Sequence, residues 1–112
     1  MTAEPEQAKQ GAWTRVCGSD ELAAPGVRTV VTAAGQVAVF RLQDRRLLAI
    51  EDRCPHRGAL LSTGAVYDGD KVACLDHGWT VCLTDGVVEA PEHGCVRTFP
   101  VKIADGSIWV LP

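Results

Sequence analysis

Aromatic residues are scarce in this chain: three tryptophans, two phenylalanines and one tyrosine make up 5% of its 112 residues. A core has to come from aliphatic side chains, and at 46% apolar the chain has enough of them for one domain of modest size. No apolar run approaches the roughly 20 residues of a membrane span. No basic segment followed by an apolar one stands at the N-terminus, so no secretory signal is expected. Positive charge is not in excess either. Eleven Lys and Arg face 14 Asp and Glu, a formal net charge of −3, which argues against nucleic acid or an anionic membrane as partner. A G-x-G-x-x-G fingerprint is absent, so no dinucleotide site is expected. Five cysteines are an odd count for a disulfide framework. A reducing, cytoplasmic setting is the simpler expectation, and there closely spaced Cys and His point to metal rather than to a disulfide.

Residues 1–11 are polar and lack apolar periodicity, so they are expected to form a flexible tail before a single domain over 12–112. Ser19-Asp20-Glu21-Leu22 has a capping residue and early acids, enough for one helical turn that Pro25-Gly26 ends. From there the pattern predicts short strands: Val27–Ala33, Gln36–Leu42, Leu47–Glu51, Ala65–Tyr67, Lys71–Leu75, Trp79–Leu83 and Ser107–Leu111. Turns fall at Ala34-Gly35, Asp68-Gly69-Asp70, Asp85-Gly86 and Asp105-Gly106. Gln36–Leu42 is apolar on both faces and should lie centrally. Phe99, Val101 and Ile103 alternate with Pro100 and Lys102, as on a half-buried strand. Many short strands with no long helical period predict an all-β, antiparallel sandwich or barrel.

Two short Cys/His pairs carry the chemistry. Cys54-Pro55-His56 and Cys74-Leu75-Asp76-His77 are separated by seventeen residues. Two thiolates and two imidazoles suit either a [2Fe–2S] cluster with mixed ligation or a structural Cys2His2 zinc site, although C-x-H is unusual spacing for zinc. The formal charges of two ferric ions, two sulfides and two thiolates cancel. Such a cluster therefore accepts an electron more readily than one held by four cysteines. Gly58 and Gly78 follow the histidines closely and permit tight loops.

Cys54-Pro55-His56-Arg57-Gly58 with Cys74-Leu75-Asp76-His77-Gly78-Trp79 resembles the Rieske family, over roughly Trp13 to Val110. The resemblance implies a Rieske-type antiparallel β-sandwich or barrel with a two-loop cluster-binding subdomain. It also implies that Cys54 and Cys74 hold one iron of a [2Fe–2S] cluster and His56 and His77 the other. The stretch Ala90-Pro91-Glu92-His93-Gly94-Cys95-Val96-Arg97-Thr98-Phe99-Pro100-Val101, with Val37–Leu42 and Gly78–Val81, is similar to the small subunit of assimilatory NAD(P)H-dependent nitrite reductase. That subfamily implies a non-catalytic redox subunit whose large partner carries flavin, siroheme and [4Fe–4S], converting nitrite to ammonium in nitrogen assimilation. Two other functions compete: a stand-alone ferredoxin feeding an aromatic-ring dioxygenase, and a cluster-free structural subunit.

Further expectations follow from the resemblance and from the residues themselves. Cytochrome-complex Rieske proteins have an extra cysteine in each loop, joined as a disulfide; Ala59 and Asp76 stand at those positions here. They also supply Ser and Tyr hydroxyls where this chain has Trp79 and Val81. Fewer donors imply a low, ferredoxin-like potential. The family usually has Pro after the second-loop cysteine, and this chain has Leu75. Cys17, Cys82 and Cys95 are expected to be core or half-buried thiols, His93 a surface residue, and Trp79 packing against the cluster loops. Arg53 and Arg57, with Arg45 and Arg46, read as a solvated surface or, alternatively, as a basic docking rim.

Overall fold

A computed structural model describes residues 12–55, 58–76 and 78–112. The tail expected over 1–11, and the expected ligands His56 and His77 together with Arg57, lie outside the described residues. The described residues form ten short strands: β1 (Thr14–Gly18), β2 (Gly26–Thr32), β3 (Gly35–Arg41), β4 (Leu47–Glu51), β5 (Ala65–Tyr67), β6 (Lys71–Ala73), β7 (Thr80–Cys82), β8 (Thr98–Phe99), β9 (Val101–Ala104) and β10 (Ser107–Val110). Two 3₁₀ turns, Ser19–Glu21 and Leu61–Thr63, are the only helical pieces among the described residues. The chain is therefore all-β, and every ladder is antiparallel.

The strands form three sheets, ordered β1-β10-β9, β2-β3-β4-β8 and β5-β6-β7. The middle sheet has a core on each face, and the two-residue period of β3 divides them. Val37 and Val39 join Cys17, Leu22, Ala49, Ile108 and Val110 on one side. Ala38, Phe40 and Leu42 join Ile50, Leu61, Val72, Val81, Leu83 and both expected cysteine ligands on the other. A strand buried on both faces has no polar alternation to show, and this matches the central place expected for Gln36–Leu42.

Three elements differ from the sequence expectation. β1 was not anticipated. It pairs with β10 through a bulge between Arg15 and Cys17 that interrupts its alternation. The expected half-buried strand across Phe99–Ile103 is split at Pro100, which has no N–H for a ladder. Phe99 pairs with Ala49 in the middle sheet, while Val101–Ala104 pairs with β10 in another. Ile103 consequently lies on the outer surface, 51% exposed. In the first 3₁₀ turn the cap is Gly18 rather than Ser19, and the Glu21 carboxylate reaches back to accept the Gly18 N–H at 2.7 Å.

Candidate metal centre

β4 carries Leu48 and Ile50 into the core that also holds Cys54. Residues two apart on a strand share a face, so the run Leu48, Ile50, Asp52, Cys54 points inward as the chain leaves β4. The second arm begins the same way. Val72 of β6 is fully buried, and Cys74 follows two residues later. Cys54 and Cys74 are 1% and 2% exposed and belong to one packed cluster.

Each cysteine opens a loop closed by the same pair of backbone bonds. Cys54 N–H donates to Ala59 O at 2.7 Å, and Gly58 N–H returns to Cys54 O at 2.8 Å. Cys74 N–H donates to Trp79 O, and Gly78 N–H returns to Cys74 O, both at 2.8 Å. Gly58 and Gly78 have φ of +80° and +74°, a left-handed conformation that glycine adopts without strain. Two six-residue loops thus share one backbone design, although their histidines stand at different offsets from the cysteine in the sequence.

The surroundings are unequal. Asp52 is 3% exposed, and its carboxylate accepts Gln36 Nε2 (2.8 Å), Ser62 N–H (2.7 Å) and Ser62 Oγ (2.7 Å). The guanidinium of Arg53 lies over Gly58: a β-carbon there would stand 3.5 Å from Arg53 Nε. A third segment leans on the first loop, where a β-carbon on Gly94 would stand 3.5 Å from Pro55 Cβ. Val88 N–H donates to Gly94 O at 3.0 Å and holds that segment as a hairpin. Lys71 and Glu89 pair at 2.7 Å and tie it to β6. The Glu89 contact holds the Lys71 ammonium above the ordinary lysine value of 10.5. Among the described residues no group of three or more His, Cys, Asp and Glu is assembled.

The remaining expectations divide. Trp79 is half-buried against the core around Cys54 and Cys74, as expected. Cys17 is buried and Cys82 half-buried, with its Sγ 3.1 Å from Thr84 Oγ1. Cys95 departs from expectation and is exposed, because its loop turns outward beside Pro55. His93 is exposed. Arg45 and Arg46 do not join Arg53 in a rim. They precede β4, at the end opposite Arg53, and Arg46 is paired with Asp44 at 2.8 Å and Asp70 at 3.8 Å. Leu75 is 69% exposed on the second loop. Sequence reasoning missed Asp52 and its partners Gln36 and Ser62. The signal was the even-numbered register Leu48, Ile50, Asp52, which places a carboxylate on an apolar face.

The model of the Rieske [2Fe-2S] domain matches residues 12–100. This chain belongs to the Rieske family. Its cofactor is a [2Fe–2S] cluster, and it is an electron-transfer domain. The two buried thiols at the mouths of matched loops are a donor set that fits such a group. The chain is 37% identical over 82 residues to a vanillate O-demethylase oxygenase subunit from Pseudomonas sp. (strain ATCC 19151), covering 69% of this chain and 25% of that one. It thus spans a quarter of the length of that relative. A 3-phenylpropionate/cinnamic acid dioxygenase ferredoxin subunit from Photorhabdus laumondii is 33% identical over 96 residues, covering 85% of this chain and 90% of the relative. Among solved structures, a chain from the complex of oxygenase and ferredoxin in carbazole 1,9a-dioxygenase has a TM-score of 0.79 at 30% identity, over 88% of this Rieske chain and 92% of that chain. A structure provisionally described as the small subunit of an NADPH nitrite reductase has a TM-score of 0.75 at 24% identity, over 90% and 99%, a likeness of fold. No described helix is long and apolar enough to cross a membrane.

Proposed function

We propose that this Rieske domain is the small electron-transfer subunit of an NAD(P)H-dependent nitrite reductase, with Cys54, His56, Cys74 and His77 as the cluster ligands. The observation that carries the site is the pair of buried cysteines opening two loops of one hydrogen-bonded design. The cluster, when bound, supplies one-electron transfer. The chain itself orients two thiolates, closes the loops with backbone bonds and surrounds the cysteines with aliphatic side chains that exclude water. No catalytic residue is assigned to it. Flavin, siroheme and [4Fe–4S] belong to a large partner subunit, and the setting is the cytoplasm.

The choice of partner rests on Ala90–Val101 with Val37–Leu42 and Gly78–Val81, the stretches similar to nitrite reductase small subunits. Structural likeness to the described nitrite reductase subunit is compatible with it. A second reading, a ferredoxin serving a ring-hydroxylating oxygenase, is favoured by 33% identity over nearly the whole of a dioxygenase ferredoxin. One experiment separates them. Anaerobically purified chain is added to a siroheme nitrite reductase large subunit from the same source and, separately, to an oxygenase and its reductase. Nitrite-dependent NAD(P)H oxidation that requires this chain supports the first reading. Stimulation of the oxygenase alone overturns it. EPR of the dithionite-reduced protein, with iron and sulfide analysis, tests the cofactor independently of either partner.

A further inference from the structure

We propose that Asp52 is the positioning residue of the first ligand loop: its carboxylate staples residues 52 and 62 together and holds the Cys54 arm in place. The proposal rests on the reading of Cys54 and His56 as ligands. Cys54, His56 and Arg57 all lie between the two stapled residues. One carboxylate grips both ends of this excursion, since Oδ1 accepts Ser62 N–H and Oδ2 accepts Ser62 Oγ, at 2.7 Å each. Oδ2 also accepts Gln36 Nε2, and Asp52 N–H donates to Gln36 O at 2.9 Å. The loop is thereby fastened to the start of β3, the central strand of the molecule.

The comparison between the two arms gives the carboxylate its meaning. Two residues before Cys74 stands Val72, fully buried and apolar. Two residues before Cys54 stands Asp52, equally inward but charged. An apolar side chain there would serve the core at lower cost, because a buried carboxylate loses hydration that three hydrogen bonds only offset. The second arm needs no such staple. Cys74 lies between β6 and β7, which pair with each other across the loop, as Ala73 with Thr80. The first arm lacks that support. It leaves β4, and the chain returns through a 3₁₀ turn, not through a partner strand of β4. Ala59 and Asp76 also exclude the inter-loop disulfide implied for the cytochrome-type relatives. Asp52 supplies by hydrogen bonding what β6 and β7 supply by pairing.

The test compares wild type with Asp52→Ala, Asp52→Asn and Ser62→Ala, each purified anaerobically as the full chain. The rate of iron release to an added chelator is followed by visible absorbance. EPR of the reduced protein and amide hydrogen exchange are read alongside. Asp52→Ala is expected to release iron faster, by about 10–100-fold if the affinity typically lost with an outer-shell partner is expressed in the release step. Ser62→Ala, which keeps the backbone contact, should fall between, and Asp52→Asn should recover part of the loss. The EPR lines of Asp52→Ala should broaden as the Cys54 arm samples more geometries. Exchange of the Cys54 and Gly58 amides should accelerate while that of Cys74 and Gly78 does not. Wild-type release rates in both Asp52→Ala and Ser62→Ala, with unchanged EPR lines, would overturn the proposal. If Asp52→Ala does not fold, Ser62→Ala and Asp52→Asn carry the same comparison. If wild type itself holds no iron, the ligand reading fails, and the amide exchange of the two loops still decides the staple.

Discussion

Gly86 and Val96 approach so closely that no β-carbon fits between them. Gly86 is buried with φ +74°, and a β-carbon built on it would collide with the Val96 carbonyl oxygen. The reason is a hydrogen bond from Val96 N–H to Gly86 O at 2.8 Å, which draws the backbone leading into β8 against the turn after β7. Gly86→Ala should therefore cost both left-handed strain and a clash, roughly 2–4 kcal/mol in all. Gly69 has φ +84° but open space around it, so Gly69→Ala should cost only the strain, about 1 kcal/mol. Urea unfolding of the two variants checks this. Equal losses would show that the Gly86–Val96 approach is not a constraint.

The Lys71–Glu89 pair makes stability depend on alkaline pH. The Glu89 hydrogen bond and charge raise the Lys71 pKa above 10.5 in the folded state. A raised lysine pKa stabilises the fold fully below the unfolded value and loses that contribution as pH rises through the folded value. Glu89→Gln should lower the melting temperature of the protein near pH 8. The gap from wild type should close above the raised Lys71 pKa. Both side chains are partly exposed, so added salt should shrink the gap as well. A difference that persists unchanged at pH 12 would contradict the assignment.

Much of this architecture was readable from local pattern. Val27–Ala33, Gln36–Leu42 and Leu47–Glu51 fall within about one residue of β2, β3 and β4 at either end, because apolar β-branched runs and glycine turns bound them on both sides. The cysteines were legible because a C-x-H and C-x-x-H pair has few other uses. What escaped was set by tertiary partners. β1 exists through pairing with a strand 92 residues away, Arg15 Nε reaching Ser107 Oγ at 3.1 Å. Pro100 looked like an outward residue of one strand and is instead the crossing point between two sheets. Asp52 escaped notice because its burial depends on Gln36 and Ser62, which the local sequence does not bring near it.

The ligand proposal separates the five cysteines into two groups. Ala substitution of Cys54, Cys74, His56 or His77 should abolish the visible absorbance of the cluster and most of the bound iron. Cys82→Ala and Cys95→Ser should keep both, because these side chains sit half-buried by Thr84 and exposed on the third segment. Cys17 is buried in the other core, with Ile108 and Val110, so Cys17→Ala should retain the cluster while lowering stability by about 1–2 kcal/mol. Zinc in place of iron in the anaerobically purified protein would replace the Rieske assignment with a structural metal site. Loss of iron in Cys95→Ser would move a ligand to the third segment.

The reduction potential follows from which side chains surround the second loop. Val81 is fully buried and has no hydroxyl to offer. Trp79 stands where the cytochrome-type proteins have a serine. Hydrogen bonds to the cluster sulfurs stabilise the reduced, more negative form, so their loss lowers the potential. Exposed Asp76, the neighbour of His77, adds a negative charge that acts in the same direction. A redox titration should place the midpoint in the lower part of the Rieske range of about −150 to +300 mV. Asp76→Asn should raise it by on the order of tens of millivolts, and by less at high ionic strength, since an exposed charge is screened within about one Debye length. A midpoint near the top of the range would show that backbone N–H groups of the two loops compensate for the missing hydroxyls. A salt-independent response to Asp76→Asn would show that the substitution acts through loop geometry rather than charge.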